Sequence, residues 1–117
     1  MFGSLLILAY TGAISAVPVQ FQGEWRVSLS ECPPKITGRP VWINANKIRM
    51  DHAVGELRMI ENGGRRDITV AGELLSDGDP WNAKLRLKLS KSEDELTISE
   101  GDWATKLQRC PEKKMSK

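Results

Sequence analysis

The chain has 117 residues, 40% of them hydrophobic and 27% charged, with 17 basic against 15 acidic side chains and a formal net charge of +2. That length holds one domain and leaves no room for a separate cofactor domain, while the charged fraction excludes a polytopic membrane protein. So even a balance of charge also argues against a nucleic-acid binder, whose footprint is a marked basic excess.

The first segment, Met1 to Ala16, carries no charged side chain, and its middle is the apolar run Leu5-Leu6-Ile7-Leu8-Ala9-Tyr10. The run is too short to cross a bilayer, which takes about 20 residues. It ends in Ala13, Ser15 and Ala16, the small residues expected at a signal-peptidase site. Residues 1–16 are therefore read as a signal peptide cut after Ala16, with the amino terminus as its only positive charge, and the alternative is a buried N-terminal strand or helix. Export to the periplasm or the extracellular space follows. No Cys stands at the cut, so a lipid anchor is not indicated, and the mature chain has no transmembrane span.

From Val17 onward the apolar positions recur with a period near two, most plainly in Ala83, Leu85, Leu87 and Leu89 alternating with Lys84, Arg86, Lys88 and Ser90. That is the pattern of a half-buried strand. Strands are predicted over Gln20 to Leu29, Val41 to Asn44, Lys47 to Met50, Val54 to Glu61, Arg65 to Leu75, the run around Ala83 to Leu89, Glu95 to Glu100 and Trp103 to Arg109. The separators carry turn chemistry: Ala45-Asn46, Asp51 to Ala53, Asn62-Gly63-Gly64, Ser76 to Pro80, Lys91 to Asp94 and Gly101-Asp102. Residues 17–111 thus form the domain, and 112–117 a polar tail.

About eight short antiparallel strands must hide their edges, and closing the sheet abolishes them. The predicted fold is all-β, a small up-and-down barrel resembling that of lipocalins, in a monomer. A barrel of this size is either filled by side chains or holds one small ligand. The large residues assigned to its interior, Phe21, Trp25, Val27, Trp42, Ile48, Met50, Leu57, Met59, Ile68, Val70, Leu85, Leu87, Leu96, Ile98 and Leu107, are enough to fill it. Two cysteines, Cys32 and Cys110, allow one intramolecular disulfide, which an oxidising compartment would favour. It would join the first element to the last across a long loop, worth about 4 kcal/mol in the chain-entropy model.

The opening Phe21-Gln22-Gly23-Glu24-Trp25 resembles the G-x-W start of lipocalins and of small periplasmic metalloprotease inhibitors on the same barrel. In such a start the Gly lets the strand bend and the Trp plugs one barrel end. The whole mature chain, with this start, an early Cys, the passage holding Gly72, Glu73, Asp77, Gly78 and Trp81, and the terminal Arg109-Cys110-Pro111, is similar to uncharacterised small exported proteins of alphaproteobacteria. The resemblance implies a periplasmic barrel and no particular activity.

Catalytic constellations are not evident. The one histidine, His52, falls in a turn sequence, Asp51-His52-Ala53, where a solvated side chain is expected, and no Ser stands in a Gly-x-Ser-x-Gly elbow. A single His and two paired Cys do not make a zinc site. Asp77-Gly78-Asp79-Pro80 reads as a turn, without the further oxygen ligands of a calcium loop. The chain is accordingly expected to be no enzyme and to hold neither cofactor nor metal.

Two binding readings remain. In the first, a non-enzymatic, inhibitor-like module recognises a protein or an anionic envelope component. Its candidate surface is Lys84, Arg86 and Lys88 on one strand face, joined by Arg58, Arg65 and Arg66 if the strands pair in sequence, together with Lys35 and Arg39 in the Pro33 to Pro40 loop. The same cations could simply solubilise the strand. In the second, a lipocalin-like carrier holds a small apolar ligand among Trp25, Trp42, Trp81 and Trp103, in a pocket of at least about 300 Å³. Phe21, Gly23 and the four Trp could equally be barrel plugs and strand anchors.

Overall fold

The computed structural model describes residues 16–33, 40–50 and 52–111. Of the predicted leader only Ala16 falls among them, and Lys35, Arg39 and the tail 112–117 lie outside. Among the described residues eight strands follow one another: β1 (Gly23–Arg26), β2 (Val41–Ile43), β3 (Lys47–Met50), β4 (Ala53–Asn62), β5 (Asp67–Ser76), β6 (Asp79–Leu89), β7 (Glu95–Glu100) and β8 (Trp103–Arg109). Each pairs antiparallel with the next, and β1 pairs with β8 to close the barrel. This is the architecture expected from the period of two, and β3, β7 and β8 keep their predicted limits.

Two ranges are corrected. The first strand is only four residues long, because Val19–Phe21 and Leu29–Glu31 form 3-10 turns on either side of it. Ser28 caps the second of these by accepting the Ser30 N–H at 3.3 Å. The turn before β6 shrinks to Asp77-Gly78, both at positive φ (54° and 89°), as a two-residue hairpin loop requires. Asp79 and Pro80 therefore belong to β6. Proline is tolerated there because β7 pairs with β6 only over Arg86 to Leu89, which leaves the earlier part of β6 with a free edge.

Alternation sorts the side chains. Ile48, Ile68, Val70, Leu74, Leu85, Leu87, Leu96 and Ile98 fill the interior and are fully buried, each contributing roughly 1.5–3 kcal/mol of burial. Three residues expected inside are not. Val27 lies beyond the shortened β1 and is exposed. Trp42 points outward because Val41 and Ile43 take the two inward positions of β2. Met59 is exposed because the β4–β5 register shifts between Leu57 and Met59. The extra residue, Arg58, reverses the parity, so that Leu57 and Ile60 face the core. At Gly55 the two strands approach so closely that a Cβ would lie 2.3 Å from the Glu73 carbonyl oxygen.

Cys32 and Cys110 form the expected disulfide, with a Cα–Cα distance of 5.6 Å and a sequence separation of 78. Cys110 also donates its N–H to the Glu24 carbonyl at 3.0 Å. The bridge thus ties the segment after β1 to the residue after β8, and it is consistent with an oxidising compartment. Among the described residues no helix is long and apolar enough to cross a membrane.

Candidate functional site at the barrel mouth

The register defines two ends. One gathers the start of β1, the β2–β3, β4–β5 and β6–β7 turns and the end of β8. At the other lie the β3–β4, β5–β6 and β7–β8 turns.

The first end is sealed. Phe21 and Trp25 are fully buried, and the Trp25 indole donates to the Phe21 carbonyl at 3.0 Å. The Arg109 guanidinium lies 4.3 Å from the centre of the Trp25 ring, a cation–π contact. Arg109 also donates to the carbonyls of Gln22 at 2.9 Å, of Gln20, and of Glu93 at 3.1 and 3.2 Å. Arg65 binds the Glu93 carboxylate at 2.8 Å, and Gln20 donates to the Arg65 carbonyl at 2.7 Å. Four separate segments are therefore stitched around one indole. Gly23, at φ 126°, adopts the backbone that lets β1 turn away from this plug. Phe21, Gly23 and Trp25 close the barrel at this end.

The opposite end is a mouth. Met50 is in phase with Ile48, Ala53 with Leu57, Ser76 with Leu74, Trp81 with Leu85, Glu100 with Ile98 and Trp103 with Leu107, so all six occupy inward positions. They line a half-open recess of about 410 Å³. Its origin is a divergence of strands: β6 pairs with β5 along its whole length but leaves β7 before Arg86. Glu100 bridges the gap, its Oε2 accepting the Lys84 N–H at 3.1 Å. The two-residue turn Gly101-Asp102 places Glu100 directly across from Trp103. Trp81 packs against the core from β6, whereas Trp103 is 47% exposed. Its described lining is mostly apolar, with one carboxylate and one hydroxyl among it, which suits a small ligand with a single polar group.

The other residues singled out in the sequence lie elsewhere. Trp42 stands on the outer face, where register places Arg49, Val54, Leu75 and Pro80 beside it in one row across β2 to β6. All five are exposed. Lys84, Arg86 and Lys88 do share the outer face of β6, but Arg86 pairs with Asp67 through two hydrogen bonds of 3.1 and 2.7 Å. The Arg86 hydrogen bond, opposed by partial burial, holds the Asp67 carboxyl below its ordinary value of 3.8. Arg65 belongs to the sealed end, and Arg58 to a shallow outer recess with Met59, Glu73 and Asn82. His52 is exposed at φ 64°, its Nδ1 3.9 Å from Asp77. Among the described residues no three His, Cys, Asp or Glu side chains converge as a metal site would.

Sequence reasoning named Trp81 and Trp103 as ligand-lining but missed Met50, Ala53, Ser76 and Glu100 in that role. The signal was present: carrying the alternation to the last residue of each strand puts all of them inside. Compared with protein-family models, with curated proteins and with solved structures, the chain matches none.

Proposed function

We propose that this protein is an exported, non-enzymatic binding module that holds a small ligand in the mouth of its barrel. The observation carrying this reading is the ring of six inward residues, two of them Trp, around a recess of about 410 Å³ above a filled core. Rigidity favours it as well. A barrel closed on itself, crosslinked at Cys32–Cys110 and sealed at one end loses little conformational freedom when a ligand docks. Export is supported by the disulfide and by the leader; a cut after Ala16 retains Val17, whose side chain is buried and whose N–H donates to the Ala45 carbonyl at 2.7 Å.

The test is a titration of the mature, oxidised protein with a neutral, an anionic and a cationic alkyl amphiphile of one chain length, followed by Trp emission. At least one should change the emission, and Trp103→Ala should abolish or greatly weaken that change. No response to any of the three would overturn the reading. A second reading, recognition of a macromolecule, is favoured by the exposed row of Trp42, Arg49, Val54, Leu75 and Pro80. It would replace the first if an envelope pull-down retained a protein through Trp42 and Leu75 while the amphiphiles stayed unbound.

A further inference from the structure

We propose that the mouth is selective for a methylated ammonium cation, with the indoles of Trp81 and Trp103 as its walls and the Glu100 carboxylate as its counter-charge. The inference rests on reading the mouth as a ligand site and names the chemistry of what enters it.

Aromatic faces attract cations through their quadrupole, and tryptophan does so most strongly. Here two indoles border one recess with a carboxylate between them in the lining. Glu100 is directly opposite Trp103 across the β7–β8 turn. Its Oε2 is anchored by the Lys84 N–H, a backbone donor that orients the carboxylate and leaves its charge intact. Among the described residues no cation pairs with it within 4.0 Å.

The surroundings carry the same sign. Around the mouth turns stand Asp77, Asp79, Glu100 and Asp102, against His52 among the described residues of those turns. In a chain whose formal net charge is +2, these four carboxylates make the described part of the three turns locally negative, which concentrates cations and repels anionic ligands. The shortage of other acceptors then selects among cations. Among the described residues of the lining, the Ser76 hydroxyl is the one side-chain oxygen or nitrogen acceptor apart from Glu100. A primary ammonium brings three N–H donors that would lose water without finding partners, at a cost. A trimethylammonium head has no N–H to satisfy, presents methyl groups to Met50 and the indoles, and keeps its charge for Glu100.

Choline and its neutral isostere, in which carbon replaces nitrogen, separate charge from shape. The mature oxidised protein should bind choline about tenfold more tightly than the isostere, the scale of a partly desolvated cation–π and carboxylate site. Calorimetry and Trp emission both read this. Glu100→Gln retains an acceptor for the Lys84 N–H, so an unchanged thermal midpoint shows that it folds; it should erase the preference for choline while leaving the isostere's affinity as it was. Equal binding of choline and isostere by the wild-type protein would overturn the charge selectivity but leave the mouth as a ligand site. So would binding of the neutral or anionic amphiphile where choline fails. If neither choline nor any of the three amphiphiles binds, both this inference and the functional reading fall.

Discussion

The two ends of the barrel use the same residue type to opposite effect. At the sealed end Trp25 is enclosed on every side: its N–H is bonded to Phe21, its ring lies under Arg109, and Arg109 is itself bonded to three carbonyls from two other segments. At the mouth Trp81 and Trp103 also point inward, yet β6 and β7 have parted there, and the Trp103 ring is left half exposed. An inward Trp is thus enclosed where the strands around it converge and carry a covering cation, and it is left open to solvent where they splay. Arginine is used differently as well: Arg65 and Arg109 are knitted into the sealed end, Arg65 through the Glu93 carboxylate.

The contrast can be broken most severely at the plug. Trp25→Ala should cost about 3–5 kcal/mol, the range for removing a large buried aromatic, visible as a loss of folded protein or a large fall in the denaturation midpoint. Reduction of Cys32–Cys110 should follow, at about 2–5 kcal/mol for a native crosslink of a small domain; urea unfolding with and without reductant measures it, and the mouth's affinity should fall only as the folded fraction falls. Trp103→Ala sharpens the comparison from the other side. Stability should change by roughly 0.5 kcal/mol or less, as for an exposed position, while binding at the mouth is lost. The smallest effect belongs to the outer face. Because Arg86 holds Asp67 below 3.8, the pair stabilises the fold above the ordinary carboxylate range, and that contribution is lost as pH falls through the lowered native value. Asp67→Asn should flatten part of the acid limb of a melting-temperature profile and barely move the neutral plateau. A residual slope of the same sign should remain from Asp94, held low chiefly by the Ser92 hydroxyl.

Much of this was legible in the chain. Ala83 to Leu89 displays its alternation without interruption, and β6 follows it residue by residue. With two cysteines in the chain, there was one possible pairing. What was hidden depends on contacts between distant strands. Nothing in Leu57-Arg58-Met59-Ile60 announces that Arg58 is an inserted residue, since a bulge is defined by the register with β5. Size alone puts Trp42 inside, whereas the pleat of a three-residue strand is decided by its two aliphatic neighbours. The sealing contact of Arg109 with Trp25 joins opposite ends of the sequence and needed barrel closure to exist. Glu100 was obscured for a related reason: its role arises from the divergence of β6 from β7, a feature of the ladder and not of either strand alone.

The most direct test of this division is the response of the four indole N–H resonances when the mature, isotope-labelled protein is titrated with choline, each resonance assigned by a single Trp→Phe replacement. The signals of Trp81 and Trp103 should move together and saturate, with Trp25 and Trp42 unmoved, the former held by its bond to Phe21. Movement of Trp42 with Trp81 and Trp103 fixed would contradict the account by placing the site on the outer face, and movement of Trp25 would mean that the end described as sealed is the one that opens.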